Sequence, residues 1–220
     1  MNKRSEIVDL IDSQRPHILA LTEFGAAEST PDGELGIEGY GLYRGNHSDG
    51  NGGLGRGTAL YVANTLSHSA CPLLDDVGFD CSAWTIIKLG RNKSLLVGVV
   101  YRSPKSTDEN NQRLLAIMRM AATAGHTQLM LCGDYNLPLI DWHSWQGLEA
   151  DKSFSSMFLY CVEELGLSQH VETSTRFRNS QSSCLDLVFT REEDMINSIK
   201  ELPPPWQIRP HLSAMGVSCE

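Results

Sequence analysis

The stretch Leu129-Met130-Leu131-Cys132-Gly133-Asp134-Tyr135-Asn136 constrains this chain more than any other. An apolar run of strand type stops at a glycine. An acid and an amide follow, two residues apart, and Leu137-Pro138 then prevents the ladder from continuing. Asp134 and Asn136 therefore stand where a buried strand gives way to a loop. Side chains alternate along an extended chain, so the two are expected to point the same way. A carboxylate and a carboxamide projecting together from the mouth of a sheet can hold a metal or a water against a phosphate. The same residue types recur in turns because they hydrogen-bond locally, and on spacing alone a turn is the simpler reading.

Around this stretch the chain alternates helix and strand patterns. Ser5 to Gln14 carries Ile7, Leu10 and Ile11 at helical spacing and ends before Pro16. Ile18 to Thr22 is a short apolar strand with Glu23 at its C-terminal edge. Gly25 to Gly39 reads as a loop, and Tyr40 to Arg44 as a short strand. Asn46 to Gly57 is glycine-rich, but no Lys-Ser/Thr follows it and the next element, Thr58 to Val62, is a strand. A hairpin connection fits better than a phosphate cradle, with Arg44 and Arg56 on its flanks free to touch a polyanion. Ser82 to Leu89 and Lys93 to Tyr101 form a hairpin through Gly90-Arg91-Asn92.

Asp108 to Ala122 is helical, with Leu114, Leu115, Met118 and Ala121 on one face. Lys152 to Leu165 is a second amphipathic helix, stopped by Gly166. Val171 to Arg178 looks extended and polar. Cys184 to Thr190 is a buried strand interrupted by Asp186, an acid that is costly there unless paired. Hairpin-linked strands mixed with helix–strand units predict a sandwich of two mixed sheets with helices outside, in one domain over residues 1–220.

Composition narrows the setting. A chain of 220 residues, 41% hydrophobic, can bury a sizeable core. Its formal net charge of -9 argues against a broad basic surface, though not against a local basic groove. The six cysteines contain no C-x-x-C pair, which suits reduced buried thiols. A charged helical N-terminus and the lack of a long apolar run predict a soluble intracellular protein without a membrane span.

Glu23, Tyr101, the Asp134/Asn136 pair and Asp186 thus stand at strand ends or inside strands, with His211 near the C-terminus. Carboxylates with an amide and a histidine suit hydrolysis of a phosphate ester assisted by a hard cation. The ordered set resembles the endonuclease/exonuclease/phosphatase superfamily, and within it the apurinic-like endonuclease domain of non-LTR retrotransposons. The matching stretches are Leu19 to Glu23, the glycine-rich loop into Ala59 to Val62, Val99 to Pro104, Cys132 to Asn136, and Leu185 to Thr190.

This resemblance implies a four-layer α/β/β/α sandwich with the active site where two sheets meet. Glu23 would bind Mg2+ or Mn2+. Tyr101 would contact the scissile phosphate, Asp134 would align or deprotonate the water, and Asn136 would hold the phosphate and that water. Asp186 would orient His211, and Arg102 and Thr175 would join Asn136 in binding substrate. The implied reaction is DNA nicking by a monomer, in the nucleus if chromosomal DNA is the target, and element RNA or a linked reverse transcriptase are further implied partners.

Two departures bear on activity. The family begins with a strand that carries an active-site asparagine, whereas this chain begins at the helix. That predicts a domain truncated at its N-terminus and an exposed sheet edge. The family also ends in Ser-Asp-His on a last strand, where this chain has Arg209-Pro210-His211. Two alternatives therefore stand beside the nuclease: a catalytically impaired remnant or binding module of the same fold, and a phosphatase on a small or lipid phosphate.

Overall fold

Ile18, Leu19, Ala20 and Leu21 form a strand with every side chain buried, and alternate residues enter different cores. Ile18 and Ala20 pack with Leu60, Val97, Val99, Met130 and Cys132, whereas Leu19 and Leu21 pack with Ile7, Ile11, Ala59 and Tyr61. A continuous apolar strand is what burial on both faces demands. The computed structural model describes residues 3–26, 29–45, 57–79, 81–149, 153–178, 181–200 and 214–217.

In chain order the elements are α1 (Lys3–Gln14), β1 (Ile18–Leu21), α2 (Asp32–Leu35), β2 (Tyr40–Gly45), β3 (Thr58–Ala63), β4 (Ser67–Ala70), β5 (Ser82–Gly90), β6 (Lys93–Tyr101), α3 (Asp108–Thr123), β7 (Gln128–Asp134), β8 (Ile140–Asp141), β9 (Gln146–Gly147), α4 (Phe154–Glu164), β10 (Ser168–Gln169), β11 (Arg176–Arg178), β12 (Gln181–Ser183), β13 (Asp186–Thr190) and β14 (Ala214–Val217). Short 3-10 turns lie at Pro72–Val77 and Glu193–Met195.

Two sheets carry the fold. One is four-stranded and antiparallel, in the order β14-β1-β3-β2. The other is six-stranded and mixed, in the order β10-β13-β7-β6-β5-β4, with β6 and β7 parallel. α1 packs on the outer face of the first sheet. α3 and α4 pack on the outer face of the second, where Leu114, Leu115, Met118, Phe158 and Val162 meet Leu96, Val100, Leu131, Leu187 and Phe189. The sheets bury their inner faces against each other, which completes the four layers.

β1 lies inside its sheet, whose edge strands are β14 and β2. β3 pairs with one side of β1 and β14 with the other, Leu21 opposite Ala214 and Ile18 opposite Val217, so the ladder satisfies both rows of backbone groups. β2 and β3 pair from Tyr40↔Ala63 to Gly45↔Thr58, as a hairpin connection requires; residues 46–56, Arg56 among them, lie outside the described residues. Arg44 makes an ion pair with Asp32 at 3.1 Å and donates to the Thr30 carbonyl at 2.9 Å, which spends its guanidinium on the preceding loop.

Cys71, Cys81, Cys132 and Cys161 are buried, and among the described residues no helix is long and apolar enough to cross a membrane. The helix that leads to β7 depends on its cap. The Thr107 hydroxyl accepts from the Asn110 N–H at 3.2 Å, satisfying one of the orphan donors of the first turn. Thr107→Ala is expected to lower unfolding free energy by about 1 kcal/mol in urea titration, with the slope unchanged.

Candidate active site

β7 ends at Asp134, and the register of its neighbours decides what stands beside that carboxylate. β6 runs parallel to β7 and places Tyr101 opposite Asp134. β13 runs antiparallel, so its first residue, Asp186, meets the last residue of β7. Tyr101, Asp134 and Asp186 thus share one level on three adjacent strands. Asp186 begins its strand rather than interrupting it, contrary to the reading from sequence; strand polarity carries it to the mouth of the sheet.

The facing sheet supplies Glu23, two residues beyond β1. Its backbone is left-handed, with φ 50°, an uncommon and strained conformation for a side chain of this kind. The Phe24 N–H donates to the Gly57 carbonyl at 2.9 Å, and the Phe24 ring packs on Tyr61, so the bend is held on both sides. The Tyr101 hydroxyl, on a residue only 3% exposed, donates to Glu23 Oε1 at 2.7 Å. This bond joins the ends of the two sheets.

Asp134 and Asn136 form a turn at the end of β7. The chain does not stay extended to Asn136, whose φ is 46°. Its N–H donates back to Asp134 Oδ1 at 3.0 Å, the local bond typical of an aspartate-headed turn. The Asn136 carboxamide is nearly buried, at 7% exposure, and Nδ2 donates to the Arg102 carbonyl at 2.8 Å. The two side chains therefore do not project in parallel as strand alternation suggested.

Arg102 is also buried. Nε donates to Asn111 Oδ1 at 2.8 Å, Nη1 donates to the Asn136 carbonyl at 2.9 Å, and the guanidinium lies 4.8 Å from the centre of the Phe154 ring. Thr175 lies against the start of β13, its hydroxyl oxygen accepting from the N–H groups of Leu185 and Asp186 at 2.9 and 3.1 Å. His211 lies outside the described residues, three positions before β14, whose Ala214 pairs with the last residue of β1.

Burial and company raise the proton affinity of Asp134. Desolvation is the largest cause, and the charge of Asp186 adds to it; the Asn136 N–H opposes, Glu23 adds a little, and Arg176 opposes. The result is a carboxyl pushed up to about 8. Burial holds the Arg102 guanidinium below its usual range, against the pull of Asp134.

Among the described residues no three His, Cys, Asp or Glu side chains are grouped as a ready cation cage. The acids at the mouth, Glu23, Asp134 and Asp186, nonetheless offer only oxygen donors. That donor chemistry fits a hard divalent ion that keeps several positions for water and substrate oxygens.

Asn111, Phe154 and Arg176 escaped the reading from sequence. Asn111 left a signal: it precedes Leu114, Leu115 and Met118 by three, four and seven residues, which puts an amide on the apolar face of α3. Phe154 and Arg176 left none, because their place follows from how α4 and β11 dock.

The model of the Endonuclease/Exonuclease/phosphatase family matches residues 1–208. No curated protein matches the chain. The structure is similar to the endonuclease domain of TRAS1, a telomere-specific non-LTR retrotransposon, with a TM-score of 0.58 and 17% identity over 87% of this chain and 79% of that one. It is similar to the 3′ phosphatase NExo from Neisseria bound to a product DNA hairpin, with a TM-score of 0.55 and 16% identity over 86% of this chain and 82% of that one. It is also similar to ANGEL2, a 2′,3′-cyclic phosphatase, with a TM-score of 0.51 and 13% identity over 86% and 73%. At these identities the likenesses speak for the fold alone.

Proposed function

The chain belongs to the endonuclease/exonuclease/phosphatase family, whose members are hydrolases of phosphate esters, and from that premise we propose that it nicks DNA by metal-dependent phosphodiester hydrolysis, as an endonuclease of retrotransposon origin. One observation carries the proposal: Tyr101, Asp134 and Asp186 stand abreast on three strands while Glu23, from the facing sheet, is bound to Tyr101.

In this reading Glu23 would hold Mg2+ or Mn2+. A bound divalent ion supplies charge to a phosphoryl oxygen and to the leaving oxygen. Asp134, more basic than an exposed carboxylate, takes the proton of the attacking water. The bond to Glu23 places the Tyr101 hydroxyl at the site, and turning its one O–H from Glu23 to the scissile phosphate would stabilise the charge there. Asn136 orients that water and the phosphate from its constrained turn. Asp186 orients His211 for the developing charge, and Thr175 fixes the main chain at Asp186. DNA is the proposed partner, with a linked reverse transcriptase and the nucleus as the setting.

The reading is tested by plasmid nicking in Mg2+. Wild type is expected to convert supercoiled to open-circular DNA, and Glu23→Gln and Asp134→Ala are each expected to be slower by about a hundredfold or more. DNA affinity should fall steeply with salt. Nicking that survives both substitutions would sink the proposal.

The stretch Arg209-Pro210-His211, with proline beside the histidine, favours a second reading, a binding module that keeps the fold without the chemistry. Salt-dependent DNA binding without nicking would assign it. Release of inorganic phosphate from small esters, again without nicking, would assign a phosphatase.

A further inference from the structure

Arg102 follows Tyr101 directly, yet it is 8% exposed and its guanidinium is spent inside the protein. Its main chain is tied to the same place. The Arg102 N–H donates to the Asp134 carbonyl at 2.8 Å, and the Arg102 carbonyl accepts from Asn136 Nδ2 at 2.8 Å. Nη1 then donates to the Asn136 carbonyl at 2.9 Å. Three bonds therefore run between one arginine and the segment 134–136. The fourth, from Nε to Asn111 Oδ1 on α3, and the Phe154 ring on α4 at 4.8 Å hold the guanidinium from the helix side.

We propose that Arg102 is a positioning residue for phosphodiester hydrolysis. Anchored on Asn111 and Phe154, its guanidinium clamps the Asp134–Asn136 turn and so sets the Asn136 carboxamide. The role rests on the hydrolase reading above, but the clamp itself stands on the hydrogen bonds.

Physical chemistry gives two reasons. First, asparagine tolerates a left-handed backbone but is not fixed there by it, and Asn136 is fixed through its N–H, its carbonyl and its side-chain amide, two of the three by bonds to Arg102. Secondly, a charged group is costly to bury, and a planar fork with fixed donors recovers that cost only where several acceptors meet it in one plane. A phosphate contact needs the opposite, a guanidinium open to solvent. Lysine has the charge of arginine but not the fork. It cannot serve Asn111 and the Asn136 carbonyl while stacking on Phe154.

The test uses the full chain with Arg102→Lys, and Asn111→Leu as a second variant that leaves the guanidinium in place. Three quantities are read: kcat and KM for plasmid nicking in Mg2+, the salt slope of DNA binding, and proton exchange of the Asn136 carboxamide in the 15N-labelled protein without metal. For Arg102→Lys the clamp predicts a kcat lower by about tenfold or more, since catalytic groups act only when well oriented. KM and the salt slope stay as in wild type. The Asn136 carboxamide exchanges faster by about tenfold or more while the strand amides keep their protection. Asn111→Leu moves kcat and exchange the same way by less, and it decides the question alone if Arg102→Lys does not fold.

A raised KM with unchanged kcat and a salt slope smaller by about one would make Arg102 a phosphate contact and overturn the proposal. So would unchanged Asn136 exchange. If wild type does not nick at all, the hydrolase reading fails, and carboxamide exchange still decides whether the clamp exists.

Discussion

Asp134→Asn is expected to abolish hydrolysis and, without metal, to stabilise the fold. Asn keeps the shape of the side chain and an oxygen to accept from the Asn136 N–H, so the turn survives. It removes the base, for a loss on the order of 10²–10⁴ in rate. The stability gain follows from linkage. The Asp134 carboxyl titrates at about 8 in the fold against an ordinary 3.8, so across that window the folded protein holds a proton that the unfolded chain has released. The group's contribution is complete below pH 3.8 and is lost as pH rises through 8. Asn carries no such dependence. In EDTA the variant-minus-wild-type difference in Tm should therefore be small at pH 4, widen to pH 8 and flatten above it. At the plateau the corresponding difference in unfolding free energy should reach about 2–3 kcal/mol, below the full linkage value because water and small rearrangements screen a partly exposed acid. Thermal unfolding followed by circular dichroism at pH 4, 6, 8 and 9 checks this. A variant that melts below wild type at pH 8, or a difference that is flat in pH, would show that Asp134 is no strained base.

The residues that could be read from sequence are those that end an apolar run. Glu23, Tyr101 and Asp134 each follow a stretch buried on both faces, and such runs announce themselves. β4 shows the opposite case. Ser-His-Ser-Ala is polar and mostly exposed, and it is a strand only because Ser67 to Ala70 pairs with Lys88 to Thr85 at the sheet edge. Asp186 read as an acid inside an apolar run, but it begins β13, and its neighbour Asp134 depends on the polarity of that strand. Arg102 beside Tyr101 read as a substrate contact, because nothing local says that Asn111 and Phe154, 9 and 52 residues further on, close over it. The left-handed turn at Glu23 had no glycine to mark it. Short-range patterns reveal burial; register, polarity and docking decide what a buried group meets.

Gly133→Ala should be strongly damaging to both stability and activity. Gly133 lies opposite Val100 in the parallel pair of β6 and β7, one step before Tyr101 meets Asp134. A Cβ there would stand 1.9 Å from the Val100 carbonyl oxygen and 2.9 Å from its carbonyl carbon and nitrogen, and φ is +136°, where L side chains are strained. The obstacle is backbone, so no rotamer change relieves it and the strands must part. Overpacking and backbone strain together should lower stability by more than about 3 kcal/mol, or roughly 10 °C in Tm for a chain of this size. The level shared by Tyr101 and Asp134 would be lost as well, so nicking should fall even where the variant remains folded. Gly90→Ala separates the two causes. Gly90 has the same φ, +136°, at the end of β5, but it has nothing within 4 Å of a Cβ. Its cost should be the backbone strain alone, on the order of 1–3 kcal/mol, with nicking unchanged. Equal losses in the two variants would mean that backbone conformation alone demands the glycine at 133. A much larger loss at 133 would mean that the glycine is there to let β6 and β7 approach closely enough to set tyrosine beside aspartate.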